Sequence, residues 1–266
     1  MGTDQLATNP AFWQLAPGAA WHGFAGMQPG FAMTDPNKLT LLTPGFDRPS
    51  GAYADHGIPA PVVAQYLREN RIVAEKNDLN SLLFLLTPGV EASKAGTLIS
   101  GLVAFKKLHD DNATLEEVIP EFYRQRPSRY AGVRLRDLCA DMHRFFRQAD
   151  VSALQAKQFS PEHLPEIALS PHDAASCLVR NDVDYLPIDA IAGRIATTPF
   201  VVYPPGIATI VPGERISERA QPMIDYLKMF EAGFNAFPGF EVEIQGVYRE
   251  VEATGRVRLY TYVVSE

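Results

Sequence analysis

Leu41-Leu42-Thr43-Pro44-Gly45 recurs as Leu85-Leu86-Thr87-Pro88-Gly89, and each copy closes a strand-like run, at residues 38–43 and 82–86. Short apolar runs halted by Pro-Gly predict two buried strands ending in the same turn, rather than a repeat architecture. Between them, Pro59 stands where a first helical turn tolerates proline, and Val62, Val63, Tyr66 and Leu67 keep helical spacing. Ile72-Val73-Ala74 predicts a short strand and Asn77-Asp78 a turn. Beyond Pro88-Gly89, the set Ala95, Leu98, Ile99, Leu102, Val103 and Phe105 predicts a long helix ending near His109. The order strand, helix, strand, strand, helix predicts an α+β layer, a small sheet covered by helices.

Farther along, Leu135, Leu138, Cys139, Met142, Phe145 and Phe146 predict a buried helix face. Ser170-Pro171 opens another helix, with serine as N-cap and proline at the first position. Residues 186–218 read as loop-rich apart from Ile207–Val211, and Pro222–Phe234 as helical. Glu243–Arg249 and Val257–Val264 alternate well enough to pair as a hairpin around Ala253-Thr254-Gly255. The periodicity breaks near residues 110–118, which predicts two domains, 1–112 and 113–266.

The composition excludes several classes. A formal charge of −7 lacks the basic face of a general nucleic-acid binder. No run approaches the length of a membrane span, and the first residues lack a signal-peptide pattern. Cys139 and Cys177 form no C-x-x-C pair, so a soluble, cytoplasmic protein is expected. Phosphate-loop, dinucleotide and nucleophile-elbow motifs are absent, and the six histidines never take the close spacing of a metal pair. Arg124, Arg126, Arg129, Arg134 and Arg136 form a basic cluster that reads as a solvated face paired with Glu121 and Asp137.

Two residues stand out for chemistry. Glu75 ends the apolar run Ile72-Val73-Ala74 just before a turn, where a strand-end side chain can face a cleft. Tyr203 precedes Pro204-Pro205-Gly206, whose fixed backbone would hold the phenol with little freedom. On pattern alone, the first reads equally as a surface carboxylate and the second as a rigid packed tyrosine.

Several blocks together carry a resemblance: Trp21-His22-Gly23-Phe24, Asp35-Pro36 leading through Lys38 to Gly45, Gly57-Ile58-Pro59, Ile72-Val73 with Glu75-Lys76, Gly193-Arg194-Ile195-Ala196, Tyr203-Pro204-Pro205-Gly206 and Pro238-Gly239-Phe240. They resemble, in family order, the bacterial ornithine/lysine/arginine decarboxylases, pyridoxal-phosphate enzymes of the aspartate-aminotransferase fold type. The resemblance implies an aminotransferase-like small domain followed by the family's C-terminal domain, as part of a homo-oligomeric enzyme. Asp78-Leu79-Asn80-Ser81 and Gln245-Gly246-Val247-Tyr248 are most similar to ornithine decarboxylase.

The same resemblance implies that Glu75 recognises the distal ammonium of ornithine and that Tyr203 lies near the active-site mouth. Lysine decarboxylases of the family bind an alarmone through arginines. Arg134 matches one of these, while Thr114 stands at the place of another. The family's cofactor lysine lies in Ser-x-His-Lys, and no His-Lys pair occurs here. The expectation is therefore a chain with no catalytic or cofactor-binding residue of its own. Pyridoxal phosphate would belong to the complete enzyme and not to this chain alone. Such a chain is expected to be inactive until joined by an N-terminal cofactor domain. The competing reading is a stand-alone interaction or regulatory module that pairs with an intact decarboxylase subunit.

Overall fold

The computed structural model describes residues 2–19, 25–30, 32–203 and 206–265. Trp21-His22-Gly23-Phe24 and Pro204-Pro205 lie outside the described residues. In the first half the elements are α1 (Thr3–Thr8), β1 (Lys38–Leu42), β2 (Phe46–Asp47), β3 (Ala52–Tyr53), α2 (Ala60–Glu69), β4 (Lys76–Asn77), β5 (Ser81–Leu85) and α3 (Ala92–Asp110). Strands β1, β5 and β4 form an antiparallel sheet in that order, with Leu41 opposite Leu82 and Lys76 opposite Leu83. Its inner face places Leu82 and Phe84 in the core, and α2 packs on β5 and against α3.

Both strands are less buried than their apolar runs predict. Leu42 and Leu85 on the outer face are exposed, because helices cover only one side of this sheet. Residues 72–74 form no strand. Arg71 adopts a left-handed conformation (φ +63°), the Ile72 N–H bonds back to the Leu67 carbonyl, and the Arg71 N–H bonds to that of Arg68. This Schellman closure of α2 draws Ile72 and Leu67 together beside Gly101 of α3, where an added Cβ would lie 3.0 Å from the Ile72 Cδ1. The Ile72 side chain thus finishes a helix. Helix α3 buries Phe105 but leaves Ile99 and Val103 each 63% exposed, so its apolar set is only partly a core face.

The second half contains α4 (Leu115–Val118), α5 (Pro120–Gln125), α6 (Pro127–Tyr130), α7 (Leu135–Gln148), α8 (Val151–Lys157), β6 (Glu166–Ile167), α9 (Pro171–Arg180), β7 (Val183–Pro187), β8 (Phe200–Tyr203), β9 (Ile207–Ile210), β10 (Glu214–Arg215), α10 (Gln221–Ala236), β11 (Glu243–Gln245), β12 (Tyr248–Val251) and β13 (Val257–Val264). The chain is α+β throughout, with small sheets and helices packed on them. Ser170 caps α9 by accepting from the Asp173 N–H, as its Ser-Pro start predicts. Helix α7 buries Leu138, Cys139, Met142 and Phe146. Helix α10 covers the inner face of the sheet β12-β13-β7, where Leu259, Thr261 and Val263 are fully buried. Asn235 of α10 ties down β13, accepting from the Val257 N–H at 2.9 Å and donating to its carbonyl at 2.8 Å.

Two expectations for this half are corrected. Residues 186–218 hold a β8–β9 hairpin, since Phe200 and Val202 alternate into the core, and β10 pairs with β6. The predicted hairpin of 243–249 with 257–264 is only half right. β12 pairs with β13, but β11 pairs with β8, placing Glu243 opposite Tyr203. The break is at Gly246 (φ +78°), where any side chain would collide with the Pro199 carbonyl. The Gly246 carbonyl accepts from the Thr261 hydroxyl at 2.6 Å, which pins the pivot.

Candidate functional site

The pairing of β11 with β8 carries Tyr203 to the edge of the first sheet. There the Lys76 ammonium lies 4.8 Å from the centre of the Tyr203 ring. Tyr203 is 38% exposed, with its ring against Gly206, which takes a left-handed conformation. Glu75, one residue before Lys76, donates its backbone N–H to the Leu83 carbonyl at 2.8 Å, so the start of β4 holds it. Its side chain is exposed, and its carboxylate forms no hydrogen bond or ion pair with the described residues. The two residues singled out by the sequence, far apart in the chain, therefore share one edge.

Sequence reading offered no signal for Lys76 as the partner of Tyr203, because a cation over a ring leaves no spacing pattern. The role of Asp78 was better marked. Its carboxylate accepts from the Asn80 N–H at 2.7 Å and from the Ser81 hydroxyl at 2.8 Å, closing the turn that Asn77-Asp78 predicts.

The remaining polar features serve the fold. His143 is buried, with Nε2 donating to the Ala54 carbonyl at 2.8 Å and the ring edge-on to Tyr53. A Cβ on either Gly45 or Gly57 would overlap the imidazole, so these glycines make room for it. The arginine cluster is paired differently from expectation. Arg124 bonds Glu121, but Arg129 donates to the Ala236 carbonyl, Arg134 to that of Asn112, and Arg136 to those of His109 and Asp110. Carbonyls at and just beyond the end of α3 need donors, and they take Arg134 and Arg136 as donors in place of Asp137. Thr114 forms a capping box with Glu117 at the start of α4. Burial pushes the Cys139 thiol up to about 12, leaving it an inert core residue. Among the described residues, no group of three His, Cys, Asp or Glu side chains could hold a metal ion.

Comparison with known proteins decides the family. The Orn/Lys/Arg decarboxylase major-domain model matches residues 2–94, and the Orn/Lys/Arg decarboxylase C-terminal-domain model matches residues 152–265. The chain belongs to the Orn/Lys/Arg decarboxylase family. It is 43% identical over 262 residues to the constitutive ornithine decarboxylase of Escherichia coli, an alignment covering 98% of this chain and 36% of that protein. It is 41% identical over 264 residues to the ornithine decarboxylase of Haemophilus influenzae, covering 99% of this chain and 36% of that one. The solved lysine decarboxylase A from Pseudomonas aeruginosa superposes with a TM-score of 0.90 at 37% identity, covering 99% of this chain and 34% of that chain. The chain thus spans about a third of the length of the decarboxylases it matches. Glu75 falls in the major-domain match and Tyr203 in the C-terminal-domain match.

Decarboxylases of this family, as the resemblance implies, anchor pyridoxal phosphate on a lysine. Six of the seven lysines here are exposed, and the seventh, Lys76, is half-buried against Tyr203. This set does not fit a lysine-anchored cofactor. No helix among the described residues is long and apolar enough to cross a membrane.

Proposed function

We propose that this chain forms the substrate-recognition edge of a pyridoxal-phosphate-dependent ornithine decarboxylase, which converts ornithine to putrescine and CO₂ in the cytoplasm. The observation that carries the reading is the exposed Glu75 carboxylate, one residue before the Lys76 whose ammonium lies over the Tyr203 ring. A terminal ammonium suits that carboxylate, since a charge-assisted hydrogen bond to it is stronger than a neutral one. Tyr203 contributes by holding the neighbouring ammonium of Lys76 on its ring, worth about 0.5–1 kcal/mol at an exposed site. With Lys76 engaged there, the Glu75 charge stays available to the substrate. The preference for ornithine rests on the Asp78-Leu79-Asn80-Ser81 and Gln245–Tyr248 likeness and on the curated relatives' names.

The cofactor and its lysine come from another polypeptide segment, so the chain alone is inactive. Its division at residues 112/113 into an aminotransferase-like small domain and the family's C-terminal domain belongs to the same proposal, as does assembly into homo-oligomers. The test is to mix this chain with the cofactor-bearing N-terminal part of a family ornithine decarboxylase. Activity is expected only in the mixture, and stoichiometric pyridoxal phosphate binding by this chain alone would refute the reading. In the mixture, Glu75→Gln should raise the ornithine KM and cost about 1.5–3 kcal/mol in kcat/KM. Unchanged kinetics would return Glu75 to the surface.

A second reading is favoured by the exposed Leu42, Leu85, Ile99 and Val103. It makes the chain an interaction module that pairs with an intact decarboxylase subunit. Co-purification with a full-length decarboxylase supports it; no co-purification and no change in activity would remove it.

A further inference from the structure

Strand β1 lies at one edge of its sheet, and among the described residues no strand pairs beyond it. Its ladder to β5 shows which backbone groups are left over. The Thr43 N–H bonds to the Asn80 carbonyl and the Leu86 N–H to the Asn37 carbonyl. In the register that sets Lys38 opposite Leu85, bonded pairs alternate, so Leu39 and Leu41 turn their N–H and carbonyl groups to β5. Those of Thr40 and Leu42 point out of the open edge. The Lys38 N–H is taken by the Asp35 carbonyl at 3.1 Å, while the Lys38 carbonyl faces outward with them.

Proteins blunt such an edge with a proline, a bulge or an inward-pointing charge. Lys38–Leu42 has none of these: its register with β5 is unbroken, and its core-side residues are Leu39 and Leu41. Leu39 is 42% exposed although it lies opposite the buried Phe84. Alongside β1, Leu41, Ile58, Leu82, Leu102 and Phe105 line a groove of about 500 Å³ toward α3. The Lys106–Asp110 ion pair in its lining adds no net charge. Edge and groove together fit an extended strand that carries an uncharged apolar side chain.

We infer that this strand is β1 of a second copy, paired antiparallel about a two-fold axis at Thr40. The register is self-complementary. Thr40 exchanges N–H···O bonds with its counterpart in both directions, and each Leu42 N–H meets the Lys38 carbonyl of the other copy. On the core side Leu39 falls beside Leu41 of the other copy, at the mouth of the groove. On the outer side Lys38 falls beside Leu42, so no like charges stand opposite each other. A five-residue strand pair buries less than the roughly 1,200 Å² of a stable interface, so the dimer is reversible. The inference names a surface that family membership does not supply, and it does not rest on the decarboxylase reading.

Sedimentation velocity of the 266-residue chain across the micromolar range tests the pairing, and a monomer–dimer equilibrium is expected. Thr40→Pro removes an outward N–H and no bond of the native ladder. It should weaken the dimer at least about tenfold while melting close to the parent. Leu39→Lys, which supplies the missing inward charge, gives a second route to the same loss if Thr40→Pro fails to fold. In a Cys177→Ser background, Thr40→Cys should form an interchain disulfide, because the Cα atoms of such a bonded pair lie about 5.5 Å apart. Ile99→Ser on α3 should leave the dimer unchanged. A monomer at every concentration, full-strength dimers in both edge variants, or no disulfide at position 40 overturns the pairing. Dissociation by Ile99→Ser also overturns it, by assigning self-association to α3.

Discussion

Two three-stranded sheets in this chain each pack one face on the core and have very different outer faces. In β1-β5-β4 the outer face presents Leu42 and Leu85 to solvent. In β12-β13-β7 it presents Tyr185, Tyr248, Tyr260 and Tyr262, whose ring centres lie 4.7–6.1 Å apart where they meet. The tyrosines shelter one another and keep a polar rim: the Tyr185 hydroxyl donates to Glu250 at 2.8 Å. Burial, followed by that carboxylate, pushes the Tyr185 phenol up. Leucines have no such handle. A face of tyrosine is complete in water, while a face of leucine is complete only when something covers it.

The comparison breaks most sharply under substitution. Leu259→Ala, beneath the tyrosine-faced sheet, should cost about 2–5 kcal/mol in urea unfolding, whereas Leu42→Ser should stay within about 0.5 kcal/mol. Equal losses would mean that the leucine face is already covered. Asn235→Ala should follow at about 1–3 kcal/mol, because both polar groups of Val257 lose their partner. Replacing Leu42 and Leu85 together by serine should leave stability nearly unchanged and reduce self-association. Static light scattering checks this, and a parent chain that is already a clean monomer would contradict it.

The smallest effect expected is a pH dependence from His109 at the end of α3. Burial first, and then the Arg136 charge, holds its pKa below the ordinary histidine value, against the opposing pull of Asp110. The unfolded chain then binds the proton more readily than the folded one. Stability from this residue is complete above about pH 6.5 and is lost as the pH falls through the lowered folded value. His109→Asn should flatten the thermal-melting profile across that window.

Legibility followed the range of the interaction. The long helices were readable because periodicity and caps are local: α7, α10 and the Ser170 cap stand where spacing put them. Ile72-Val73-Ala74 misled because an apolar triplet after a helix fits a strand and a Schellman closure equally well. Arg71, unlike glycine, does not advertise its left-handed turn. The β11 pairing was hidden for a different reason. Alternation in 243–249 specifies a strand but not its neighbour, and only Gly246 marks the change. Glu75 and Tyr203 stood out by position and took a proposed role from a resemblance, while the contact of Lys76 with Tyr203 is a property of the folded chain.

Gly246 gives the second half a mechanical property. The segment 243–251 is fastened at one end to the Tyr203 hairpin and at the other to β13, with the pivot locked by Thr261. Fraying of the hairpin therefore loads a strand whose far end is anchored in the best-buried sheet of the molecule. Amide exchange at Val202 and Ile244 should be as slow as at Leu259, since the tyrosine at the edge opens only when the C-terminal sheet opens with it.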